Sequence, residues 1–168
     1  VDPVGSQIAP EDDNTPGGGR LCWVTGPGAV LDDVDLGSTT LLSPVFDLEG
    51  SAAARLRYAR WYHNSYITAP QDDVFAVDVS DDGGATWTNA QLVGPSGPGT
   101  DGGWVETTID IGAFVALTDQ VRVRFVASDL GQPSFVEAAV DDVILLSADG
   151  GCPQPENYCA LSPNQNTA

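Results

Sequence analysis

The sequence predicts an all-β protein, an antiparallel β-sandwich of jelly-roll type, and three observations carry that expectation. Eight or more short runs alternate apolar and polar residues, the period of a half-buried strand. Clusters of Gly, Pro and Asp separate them, as tight turns require. No segment shows a capped helical period, and no repeat divides the 168 residues. A chain of this length fits one domain, which buries roughly 70% of its unfolded surface.

In order, residues 1–20, "VDPVGSQIAPEDDNTPGGGR", read as an extended lead-in. The sandwich is expected over 21–148. It opens with the short strand "RLCWVTG", followed by "GSTTLLSPVFDLEG", which Pro44 confines to an edge or a bend. In "AARLRYARWYHNS", alternation places Leu56, Tyr58, Arg60 and Tyr62 on one face and Arg57, Ala59, Trp61 and His63 on the other. "DVFAVDVS" and "ATWTNAQLV" flank "DDGG", a strong hairpin signal because its residues tolerate positive φ. The strands "WVETTIDI", "QVRVRFVAS" and "VEAAVDDVILLS" complete the set, with one helical turn expected in "IGAFVALTD". Residues 149–168 read as a Pro-rich linker or the start of a next module.

Composition narrows the partners. Six basic residues, all Arg, face 24 acidic ones for a net charge of −18. Nucleic acid and anionic membrane surfaces are poor partners for such a chain. A saline exterior that screens self-repulsion suits it, as do divalent cations, and the expected location is secreted or at the cell surface. No apolar run approaches the ~20 residues of a membrane span, so no membrane insertion is expected.

The stretch "SDDGGATW", residues 80–87, fits the Ser-x-Asp-x-Gly-x-x-Trp hairpin that recurs in sialidase propellers. One copy in a chain too short for a propeller has a structural explanation. Ser80 and Asp82 satisfy turn amides, the glycines take unusual dihedrals, and Trp87 packs beneath. Triad and metalloprotease signatures are missing, and Ser96 in "GPSGPG" lacks a nucleophile elbow. The sequence names no base-orienting residue for the single His63, which reads as a surface or strand-edge residue. The chain is therefore expected not to be an enzyme. With no Cys-x-x-Cys, zinc is an unlikely cofactor. Three cysteines allow Cys22 to pair with Cys152, or Cys152 with Cys159; the first is favoured because the terminal strands of a sandwich often lie side by side.

The carboxylates point to calcium, a hard cation that takes oxygen ligands. Asp33 and Asp35 sit two apart before a Gly, Asp13 lies in "EDDN", and Asp141 and Asp142 are neighbours in a strand. Alternation aims one of that last pair inward, where it needs a cation or an Arg. Arg60, Arg122 and Arg124 are rivals, able to pair with Glu137, Asp141 or Asp142 without metal. A second candidate is a ligand face built from Tyr58, Arg60, Tyr62 and Arg124, with Glu137 beside it, set against a buried polar cluster between strands.

Taken together, "DVDLGSTTLLSPVFDLEG", "ARLRYARWYHNS", "DDVFAVDVSDDGGATWTN", "GGWVETTIDI", "VRVRFVASD" and "VEAAVDDVIL" carry a resemblance. The chain resembles the MAM-like jelly-roll modules on the C-terminal side of bacterial secreted peptidases, similar to those of immune inhibitor A metallopeptidases, over about residues 11–146. The resemblance implies a noncatalytic accessory domain with structural calcium near Asp141 and Asp142. The expected function is a calcium-stabilised accessory or adhesion module of a secreted multidomain bacterial protein. It would target that protein to a surface, a substrate or a neighbouring domain of the same chain. The alternatives are a carbohydrate-binding module that takes polysaccharide or cell-surface glycan on an aromatic and Arg face, and a hydrolase fragment.

Overall fold

The structure is a computed structural model that describes residues 8–17, 21–26, 33–34, 36–65, 72–130, 134–149 and 157–160. Its strands are β1 (Trp23–Val24), β2 (Gly37–Leu42), β3 (Ser51–Ser65), β4 (Phe75–Ser80) and β5 (Thr88–Val93). They continue as β6 (Val105–Asp110), β7 (Arg122–Asp129), β8 (Phe135–Asp149) and β9 (Asn157–Ala160). All the pairings are antiparallel. One sheet runs β1-β8-β3-β6, with β9 also on β8, and the other runs β2-β7-β4-β5. The chain is thus an all-β sandwich, as the alternating runs predict. The helical turn expected after β6 is a short 3-10 turn, Ile111–Ala113, that buries Ile111.

The core lies between the sheets. Leu56, Tyr58 and Tyr62 of β3 meet Phe75 and Val77 of β4 and Phe125 of β7, with Val136 and Val140 of β8 beside them. The rings interlock, Tyr58 standing edge-on to Phe125 at a centroid distance of 5.1 Å. Each fully buried side chain of this size contributes about 1.5–3 kcal/mol. Pro44 ends the pairing of β2, and the chain then returns through the Phe46 to Val121 bridge.

Two segments expected outside the sandwich belong to it. The Asn157–Ala160 strand, within the expected linker, pairs with Ser147–Ile144 of β8. Residues 8–17 of the lead-in form a strap over the outer face of the first sheet. Trp61 Nε1 donates to the Ile8 carbonyl at 2.8 Å, and Trp104 Nε1 to the Asp12 carbonyl at 3.2 Å. The strap helps to bury Trp61 on the outward face of β3, where Ala59 and His63, the latter bridged to Asp101, are buried as well. His63 is therefore not the surface residue that its isolation in the sequence suggested.

Candidate functional site

The strap is fastened on β8 at the adjacent carboxylates. The Asn14 backbone N–H donates to Asp141 Oδ2 at 2.8 Å, Asn14 Nδ2 to Asp142 Oδ2 at 2.9 Å, and Thr15 Oγ1 to Asp142 Oδ1 at 2.7 Å. Asp141 Oδ1 accepts the Asp142 N–H at 2.8 Å. Both carboxylates thus reach one asparagine, which corrects the expectation that they point to opposite faces with one aimed inward. The cause is a β-bulge. Arg57 is opposite Ile144 while Ala59 is opposite Asp141, so β8 spends an extra residue there, and Asp142 takes φ +50°. An extra residue breaks the period of two on which the opposite-face argument depends.

No Arg reaches this pair among the described residues: Arg124 binds Asp78 at 2.8 Å and Arg60 Nη1 donates to the Gly99 carbonyl at 3.2 Å. Burial and the neighbouring charges of Asp142 and Asp13 raise the Asp141 pKa against two backbone hydrogen bonds, with burial the largest cause. As a calcium site the pair is meagre. All four oxygens already accept N–H or O–H donors, and two carboxylates fall well short of the six to eight oxygens that calcium takes. Among the described residues no group of three or more acidic, His or Cys side chains is placed to hold a metal. Asp13 lies half-buried on the strap, Asp33 is half-buried ahead of β2, and Asp35 lies outside the described residues.

Cys22 stands next to this acidic patch, without a disulfide partner among the described residues; Cys152 lies outside them. Partial burial, then the charges of Asp141, Asp13 and Asp12, push its thiol up to about 11. Because only the thiolate reacts, Cys22 is expected to alkylate about a hundredfold more slowly at pH 8 than an ordinary cysteine, whose pKa is near 9. Its rate should rise to a midpoint near pH 11. Asp141→Asn should lower that midpoint. Iodoacetamide labelling read by mass spectrometry checks this: a midpoint at the ordinary value removes the electrostatic account, and no labelling before reduction places Cys22 in a disulfide.

The proposed Tyr and Arg face is not one face. Tyr58 and Tyr62 are wholly buried in the core, and Tyr58 Oη donates to Gln91 Oε1 of β5 at 2.6 Å. Burial raises both phenol pKa values, in Tyr62 with help from Asp73 and Asp129. Arg60 is buried beneath the loop at Gly99, where a Cβ would come within 2.9 Å of its Nη2. Burial lowers its pKa, opposed by Tyr58. Arg124 lies on the outer face of the other sheet, stacked 4.4 Å over the Trp87 ring. Glu137, on the outer face of the first sheet, accepts from Thr25 Oγ1. These residues fill structural roles in four separate places.

The "SDDGGATW" hairpin does what its spacing predicts. Ser80 Oγ accepts the Gly84 N–H at 2.9 Å, and Asp82 accepts the Thr86 N–H and Oγ1–H at 2.9 and 2.6 Å. Those bonds hold the Asp82 carboxyl well below the usual carboxylate range. Gly84 has φ +98°, and a Cβ there would meet Trp87 Cζ2 at 3.0 Å. Burial lowers the His63 pKa, against a backbone hydrogen bond to Asp101 and the charge of that residue.

Sequence reasoning missed the open flank of the sandwich. Edge strands β1 and β2 border a groove of about 150 Å³, lined by Trp23, Val24 and Thr39 and floored by Phe75 and Phe125. Of its lining, Trp23 and Val24 are two-fifths or more exposed; Leu42, at the end of β2 outside the groove, is similarly exposed, and Leu21 and Leu36 are more exposed still. Their one signal in the sequence was a pair of short apolar runs beside turn residues.

Fold and surface define a class, an all-β sandwich whose polar side chains mostly serve its own architecture. The chain matches no protein-family model, and no curated protein matches it significantly.

Proposed function

We propose that this chain is a noncatalytic accessory or adhesion module of a secreted multidomain bacterial protein, stabilised by calcium, that docks on a neighbouring domain of the same polypeptide. The open flank carries this reading. A groove with an apolar floor, bordered by an exposed Trp and by edge strand β2, is a surface for noncovalent association. On its outer side β2 has no strand partner among the described residues, so its backbone is also able to extend a partner's sheet. The rings proposed for glycan stacking are buried in the core, which disfavours the carbohydrate reading on that face.

Hydrogen exchange tests the docking. Amides of β2 should exchange about tenfold or more slowly in a longer native polypeptide than in this 168-residue chain, and Trp23→Ser with Leu42→Ser should abolish the difference. Equal exchange in both would rule out docking on a neighbouring domain through this flank.

A further inference from the structure

Arg60 is a buried cation that the fold leaves without a counter-ion. It stands between Tyr58 and Tyr62 on the inward face of β3, both of them fully buried, and is itself only 6% exposed. Its one hydrogen bond runs from Nη1 to the Gly99 carbonyl at 3.2 Å, the long end of the normal range. Nε is buried without a partner, and Nη2 donates to no described residue. The chain carries 24 acidic residues, yet among the described residues none forms an ion pair with this guanidinium. The group that opposes its burial is Tyr58 and not a carboxylate. A charge held away from water is costly until an opposite one joins it.

The unused donors have a definite shape. Nε–H and one Nη2–H project side by side from one edge of the planar group, spaced for the two oxygens of a carboxylate. The Gly99 carbonyl takes only the far corner, at Nη1. The cover over this edge is slight. Asn64 Nδ2 holds the Pro95 carbonyl at 2.9 Å, the Asn64 N–H holds the Thr100 carbonyl at 2.9 Å, and the Gly102 N–H donates to the Tyr62 carbonyl at 3.0 Å. The loop between β5 and β6 is thus pinned on both sides of a short span. Within that span residues 96–98 are exposed, and Gly97 and Gly99 take φ +113° and +79°. Because Gly99 has no Cβ, its backbone crosses directly over the guanidinium.

We propose that Arg60 binds a small monocarboxylate ligand, whose two oxygens take the Nε and Nη2 edge beneath the 96–99 span. One guanidinium neutralises one negative charge, which favours a monoanion over a phosphate or sulfate dianion. A chain of net charge −18 also repels acidic polymers, so the carboxylate belongs to a small molecule. Entry requires only the span to lift, against the Gly99 bond and the bond from Thr100 Oγ1 to the Gly97 carbonyl at 2.8 Å. The site lies on the β5 and β6 side of the sandwich, across both sheets from β1 and β2, and does not depend on the docking flank.

Nuclear magnetic resonance of the whole chain, labelled with nitrogen-15 and carbon-13, tests the site with sodium acetate as the probe. The Arg60 Nε–H resonance, assigned by through-bond correlation to the Arg60 backbone, should move downfield and saturate as acetate is added at fixed ionic strength and neutral pH. The Gly99 amide should follow the same curve. Sodium chloride, a monoanion that does not match the fork, and acetamide, a neutral molecule of the same shape, should leave both in place. Arg60→Gln should lose the Gly99 response to acetate. An unsaturated drift, or an equal response to chloride or acetamide, overturns the proposal, and so does a Gly99 response that persists in folded Arg60→Gln. Should Arg60→Gln fail to fold, the parent chain decides, because the assignment of Nε–H needs no variant.

Discussion

Replacing Tyr58 by alanine should cost about 3–5 kcal/mol of unfolding free energy, the range for emptying an aromatic site in a packed core. The ring lies edge-on to Phe125 across the sheets, and its hydroxyl reaches Gln91 on the far sheet, so the substitution leaves both a cavity and a half-buried amide without its donor. Tyr58→Phe should keep the packing and lose about 1 kcal/mol, the net worth of one hydrogen bond. Urea unfolding followed by circular dichroism separates the two. A loss below about 1 kcal/mol for the alanine variant would put the ring at the surface and return it to the glycan-stacking reading.

The second large effect is expected from removing residues 1–17. That deletion strips the cover from Trp61 and Trp104 and takes the donors from Asp141 and Asp142 together. Burying a large apolar side chain is worth about 1.5–3 kcal/mol and each hydrogen bond about 1, so the loss should reach about 3 kcal/mol or more. Tryptophan emission should shift to the red as two indoles meet water. Unchanged stability and emission would show that the strap lies on the sheet without holding it.

The strands were legible because burial on one face leaves a period of two, as in "DVFAVDVS" for β4, and the hairpin was legible because its chemistry is local. Ser80, Asp82 and Gly84 meet within five residues. What escaped was non-local or broke the period. The bulge at Asp142 has no glycine to announce it, yet it turns a carboxylate from one face to the other. The strap looked like a polar lead-in because the partners of Asn14 and Thr15 lie 127 and 128 positions away. The buried polar group of Asn64, Asp73, Asp129 and Ser134 was hidden for the same reason, since it joins two stretches of chain whose side chains meet across 61 and 70 positions.

The fastening of Asn14 to β8 also bears on when the protein becomes complete. A chain made from its N-terminus presents the strap well before β8, the strand it grips and the central partner of both β1 and β3, which follows 127 positions later. Until β8 arrives, β3 has only β6 beside it, and the strap has nothing to hold. The closure of the strap onto β8 therefore comes late, after long-range pairings such as β2 with β7, and a sandwich built this way belongs with the non-local topologies that fold in about milliseconds to seconds. During that interval Trp61 and the edges of β3 are open to other chains, and a partner that shields them is most valuable then, before the finished sandwich has covered them itself.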